Sequence, residues 1–200
     1  MFSFSQDYAL KNSIAELIPL ESRHEDLLFE ASHDIEIWQH FEENGYGQVN
    51  FKKYIQRALQ QRENQAEYPF VIKDLRTDQF AGLTRIYAVN NELRNVKIGH
   101  TWIGKVFQGT GLNKTCKFLL FEFLFDALNM ARIGFGASAR NIRSIKAMES
   151  IGCTQEGRLR SFLPDPESGS RVDIVLLSIL KEEWDTGVKR NLKQRLGSYR

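Results

Sequence analysis

"VFQGTGLNK", residues 106–114, follows an apolar, aromatic run and opens what reads as a helix. Two glycines stand one residue apart, and a lysine closes the stretch. Unpaired N–H groups at a helix start attract anions, and glycines let phosphate oxygens come close to the backbone. Glycine turns before helices are also common as plain turns. The stretch therefore reads either as a phosphate cradle or as a structural turn. Lys114 and Lys117 stand ready to add positive charge.

Downstream, "GLNKTCKFLLFEFLFDAL" carries Leu112, Cys116, Leu119, Leu120, Phe123, Leu124 and Ala127 at steps of three and four, which predicts a helix packed on a sheet. "ARIGFGAS" (131–138) reads as a strand. "NIRSIKAMESIG" reads as a short helix, with Asn141 as its N-cap and Gly152 just past its end. "TQEGRLRSFL" and "RVDIVLLSIL" read as two strands around the loop "PDPESGS". Upstream, "YPFVIKDL" (68–75), "QFAGLTRIYAVN" (79–90) and "NVKIGHTWIGKV" (95–106) are β-rich and separated by short turns, as in an antiparallel meander. "IAELIPL" (14–20) predicts a strand, and residues 21–33 and 51–64 predict helices. Between those helices, "HDIEIWQHFEENGYGQ" is irregular and aromatic. This order implies a mixed α/β sheet with helices on its faces.

The chain has 200 residues and a formal net charge of +2. That suits one domain over 1–200, with a core at about 14–184 and a charged C-terminal helix and tail at 181–200. "VKRNLKQRLGSYR" reads as a solvated helix face and a frayed tail. Charge this close to zero gives no footprint for nucleic acid, and no nucleic-acid-binding pattern appears. The most apolar window, "FLLFEFLFDALNMA", is broken by Glu122 and Asp126 and is too short for a membrane span. The N-terminus has no signal-like pattern. Cys116 and Cys153 read as reduced core residues of a cytoplasmic protein. His24, His33, His40 and His100 lack metal-binding spacing, so no metal is expected. A P-loop would need a lysine after Gly109, and Thr110 stands there instead. "GFGASA" (134–139) matches GxGxxA only inside a strand, where the dinucleotide motif does not occur.

"QGTGLN" resembles the Q/R-x-x-G-x-G/A acyl-CoA motif of the GNAT N-acetyltransferase superfamily. Gln108 and Gly111 match it, and Asn113 stands where Gly or Ala is usual. "NIRSIKAMESIG" resembles a second signature, N-x-x-S-x-x-A-x-x-x-x-G, of the branch containing RimJ/RimL-type protein N-acetyltransferases. Asn141, Ser144, Ala147 and Gly152 match there. "IGHTWIGKVFQGTGLN" and "RVDIVLLSILKEEW" look like the same branch. The resemblance implies the GNAT fold: a mixed, mostly antiparallel sheet of about seven strands, splayed between the fourth and fifth.

It also implies acetyl-CoA as cosubstrate, with a primary amine as acceptor. The backbone amides of Gly109, Thr110, Gly111, Leu112, Asn113 and Lys114 would hold the pyrophosphate; Gln108 and Asn141 would be further cofactor contacts, and Asn141 is also a catalytic candidate. The pantetheine arm would pair with main chain in the splay. An N–H near Ile103 or Gly104 would polarise the thioester carbonyl. Ser144 is the candidate for hydrogen-bonding the leaving thiolate, and its alternative is a place in a helix's first turn. His100 is a candidate base, set against a plain strand histidine. Asp173 is a second. Trp38, Phe41, Glu42 and Glu43 lie in the irregular segment that lines the acceptor site in such proteins. The acceptor is expected to be a protein N-terminus, a small amine or an antibiotic. A silent CoA-binding sensor is the rival reading. A monomer or homodimer is expected.

Overall fold

A computed structural model describes residues 1–165 and 169–197. Part of the "PDPESGS" loop (166–168) and the end of the expected tail (198–200) lie outside the described residues. The strands are β1 (Leu10–Lys11), β2 (Ala15–Pro19), β3 (Glu67–Asp74), β4 (Gln79–Asn90), β5 (Asn95–Ile103), β6 (Arg132–Ser138), β7 (Thr154–Pro164) and β8 (Arg171–Leu180). They form one sheet in the order β1-β2-β3-β4-β5-β6-β8-β7. All neighbours are antiparallel except β5 and β6. The two-residue β1 makes eight strands where about seven were expected.

Helices cover both faces. On one lie α1 (His24–Phe29) and α2 (Gln48–Glu63), closing an aromatic core of Trp38, Phe51, Tyr54 and Trp102. On the other lie α3 (Leu112–Phe121) and α4 (Ile142–Glu149), with the C-terminal segments α5 (Lys181–Glu183) and α6 (Lys189–Leu196). The expected helix over 21–33 is cut short at Phe29 and tightens into a 3₁₀ turn, Glu30–Ser32.

The C-terminal region is more than a solvated face. Trp184 is fully buried among Phe118, Phe121 and Phe125, and its Nε1 donates to Asp126 Oδ1 at 3.0 Å. Leu192 and Leu196 are buried too. At the other end, Phe2 and Tyr8 pack into the same core. The packed body thus begins before residue 14 and continues past 184.

The sheet splays where the sequence suggests. Parallel pairing of β5 with β6 covers Asn95–Lys97 against Arg132–Gly134 and then stops. Beyond it, β6 stays on β8 as far as Ser138, and β5 stays on β4 as far as Ile103. The two strands therefore diverge, and each leaves an unpaired inner edge. The cause lies in β5. Leu83 faces Trp102 and Arg85 faces Gly99, so two steps on β4 meet three on β5. This is a β-bulge, which bends its strand and raises the local twist. His100 sits in it at φ +48°.

Candidate active site

β5 ends in a turn that only glycine allows. A Cβ on Gly104 would lie 2.8 Å from the carbonyl oxygen of Ala31. The Gly104 N–H donates to Ala81 O at 2.8 Å. That bond removes Gly104 as a free donor for a thioester, correcting one of the two expectations. Along a strand, successive N–H groups point to opposite edges. Gly104 spends its N–H on β4, so the N–H of Ile103 faces the diverging edge.

A 3₁₀ turn, Lys105–Phe107, then leads into the glycine stretch. Gly109 and Gly111 have φ of +77° and +84°, in the left-handed region that glycine enters without steric cost. A Cβ on Gly109 would meet nothing within 4 Å, so the space above that backbone is open. Gly111 is the N-cap of α3, and the first bond inside the helix is Thr115 N to Gly111 O at 3.0 Å. The N–H groups of the first turn before Thr115, at Asn113 and Lys114, have no helical acceptor. An open glycine backbone beside first-turn donors fits a phosphate group. Asn113 Oδ1 is buried with no partner among the described residues.

Side chains brace this cradle. Gln108 donates from Nε2 to Ile103 O at 2.9 Å and accepts from Arg143 Nη1 at 3.0 Å. It thus ties the end of β5 to the first turn of α4 across the splay. Thr110 Oγ1 donates to Phe107 O at 2.7 Å. Arg76 reaches from the β3–β4 turn and donates from Nη1 to Thr110 O at 3.1 Å. Arg76 is held by Asp74, with Nε to Oδ1 at 3.0 Å and Nη2 to Oδ2 at 2.6 Å. Burial tends to raise the Asp74 carboxyl, but the bonds from Arg76 prevail and hold it below the usual range. Arg76 and Arg143 were missed in the sequence because they lie 34 and 35 residues from the partners they bond in the glycine stretch. Lys117 does not join the cradle: it is 5% exposed and bonded to Thr84 and Thr101 beneath the sheet.

Across the splay, Asn141 caps α4 as expected, its Oδ1 accepting from Ser144 N at 3.0 Å. Ser144 is half-buried in that first turn. The Gln108–Arg143 bond brings this turn beside the glycine stretch.

The α2 face carries a second group of residues. The bulge puts His100 on this face, where its Nε2 lies 3.7 Å from Glu67 Oε1. The other oxygen of Glu67 accepts from Arg85 Nη1 at 2.7 Å. Loss of solvent lowers the pKa of His100, the charge of Arg85 lowers it further, and Glu67 works against both. His100 is therefore neutral at pH 7, with a carboxylate beside it. The Arg85 guanidinium lies over the Tyr54 ring, 4.5 Å from its centroid. Glu67 and Arg85 went unread in the sequence, since 33 residues separate Glu67 from His100.

The remaining candidates divide. Glu42 is exposed and close enough for its charge to act on Tyr87, whose ring is 5.5 Å from His100. Glu43 pairs with Arg57 at 3.6 Å. Phe41 is half-buried against Trp38. Trp38 itself is 3% exposed, with Nε1 donating to Ser32 O at 3.0 Å, so it is core and not open wall. Asp173 is spent within the β7–β8 hairpin, accepting from Arg158 Nε and Ser161 N, each at 2.7 Å.

Among the described residues, no helix is long and apolar enough to cross a membrane. A family profile described as an acetyltransferase (GNAT) domain matches residues 15–154. The chain is 31% identical over 104 residues to YdaF of Bacillus subtilis (strain 168), provisionally described as a ribosomal N-acetyltransferase. That match spans 52% of this chain and 55% of YdaF. It is 28% identical to p20 of Bacillus licheniformis, described as an uncharacterized N-acetyltransferase, over 61% of this chain and 66% of p20. The matched stretches thus cover between half and two thirds of these relatives. A solved structure from T. thermophilus, provisionally described as an acetyltransferase, superposes with a TM-score of 0.84 at 28% identity. That superposition covers 98% of this chain and 100% of the other.

Proposed function

Because the chain belongs to the GNAT acetyltransferase domain family, a family that uses acetyl-CoA, we propose that it is an N-acetyltransferase acting on a primary amine, with a protein N-terminal α-amine as acceptor. The observation that carries this reading is the open glycine backbone at the head of α3, set beside the unpaired edges of β5 and β6. In this reading the N–H groups between Gly109 and Lys114 hold the pyrophosphate. The pantetheine arm adds itself to the diverging strand edges as an extra strand does. The Ile103 N–H donates to the thioester oxygen as negative charge develops there.

The acceptor enters from the α2 face. Glu42 and Glu67 attract its ammonium form, and neutral His100 takes a proton from it. The nitrogen then attacks the thioester carbon, the C–S bond breaks, and the proton shed by the acylated nitrogen passes to the leaving thiolate, which Ser144 holds by a hydrogen bond; His100 returns its own proton to solvent. An α-amine has a pKa of roughly 8, so about a tenth is neutral at pH 7; a lysine amine near 10.4 is neutral only to about four parts in ten thousand. A single weakly basic histidine suits the first far better. The description of YdaF as a ribosomal N-acetyltransferase points to the same acceptor class.

The test is calorimetric titration with acetyl-CoA, followed by thiol release with N-terminal peptides and small amines. Binding with release on a peptide supports the reading. Release only on small amines moves the acceptor class, and binding with no release on any acceptor favours a CoA sensor. Absence of binding would return residues 106–114 to an ordinary turn. Ser144→Ala is expected to lower turnover by about tenfold or more while acetyl-CoA affinity stays within about twofold.

A further inference from the structure

Lys117 lies on the sheet-facing side of α3, and its ammonium is buried with no carboxylate paired to it among the described residues. Nζ donates to Thr101 Oγ1 at 2.8 Å and to Thr84 Oγ1 at 3.2 Å. The two hydroxyls lie 2.7 Å from each other. Thr84 is the β4 residue between Leu83 and Arg85, where the register slips, and Thr101 is next to His100 in the bulge. The three groups thus sit on the one point where β5 gains a residue over β4. The titratable groups acting on Lys117 are the thiols of Cys116, on its own helix, and Cys153, at the entry to β7. Burial pushes both thiols up to about 12, so neither supplies a counter-charge.

A buried charge with no opposite partner is costly, and an apolar residue of the same length would fill the space more cheaply. A bulge is also a place where register can slip by one residue, which would carry side chains to the other face. We infer that Lys117 is a positioning residue that pins the bulge through Thr84 and Thr101, keeping His100 on the acceptor face and the Ile103 N–H in the splay. This rests on the reading of the splay as the acetyl-CoA site. The ammonium has three donors and spends two on hydroxyls from adjacent strands, so it clamps the slip point from below.

Burial lowers Lys117 to about 8. The clamp is therefore charged at pH 7 and weakens as its charge is lost through about pH 8. Amine and histidine deprotonation act in the opposite sense, raising turnover with pH.

The experiment compares the whole wild-type chain with Lys117→Met for acetyl-CoA affinity, and for kcat on whichever acceptor the wild type uses, from pH 6 to 10. Lys117→Met removes the charge and leaves the two threonines bonded to each other, so the fold is expected to hold. Acetyl-CoA should still bind, because the glycine cradle is untouched, whereas kcat should fall about tenfold or more, a larger loss than any in affinity. The wild type should lose kcat above pH 8, and the variant should lack that descending limb. Thr101→Val, which removes the shorter of the two bonds, should lower kcat in the same way and serves if Lys117→Met unfolds. Unchanged kcat in a folded variant, or an identical descending limb, overturns the inference. Failure of the wild type to bind acetyl-CoA would overturn the acetyltransferase reading and, with it, this one.

Discussion

Gly109 holds φ at +77°, and a Cβ built on it would meet nothing within 4 Å. Gly109→Ala therefore creates no clash and costs only the left-handed backbone, about 1–2 kcal/mol. If a phosphate occupies that space, the added methyl should weaken acetyl-CoA binding by about tenfold or more; calorimetry on the folded variant reads this directly. Affinity equal to wild type would reduce the glycine to a turn. The glycines and Gln108 were legible in the sequence because their role is local: they bend the chain and head a helix. Lys117 was read only as added charge near the cradle, although a signal of its burial was there. It falls three and seven residues before Leu120 and Leu124, on the buried stripe of α3. A charge on an apolar stripe points inward.

The short α4, eight residues long, depends on its cap. Asn141 Oδ1 satisfies the Ser144 N–H at 3.0 Å, and Gly152 ends the segment at φ +98°. Asn141→Ala should cost about 1 kcal/mol in urea unfolding. It should also lower turnover more than acetyl-CoA affinity, since the cap fixes the turn that carries Ser144. A variant with lower stability and full turnover would detach the cap from the chemistry. This helix was legible from its cap and stop residues. The bulge in β5 was not, because a one-residue slip is set by pairing with β4 and leaves no local mark on period-two alternation. The Glu67–His100–Arg85 group depends on that slip and was hidden with it.

The strand order was legible from hydrophobic period and short turns. The full extent of the body was not, because Phe2, Tyr8, Leu192 and Leu196 sit in polar stretches whose burial depends on what covers them. Both cysteines are buried under that cover, with thiols pushed up to about 12. At pH 8 an alkylating reagent should leave both unmodified in the native chain and label both after unfolding. Fast labelling of the native protein would mean that the helices open readily over the sheet.

The brief contact between β5 and β6 also bears on how the chain assembles. Strands β1 to β5 pair in sequence order, and β6, β7 and β8 pair among themselves. Three residues on each side, Asn95–Lys97 and Arg132–Gly134, are all the ladder that joins the two groups. Each group can gather early through its own neighbours, with α3 bridging them. The parallel join, which must close a longer stretch of chain for few bonds, belongs late in folding. The gap proposed to receive a cosubstrate is then also the seam along which the molecule is put together.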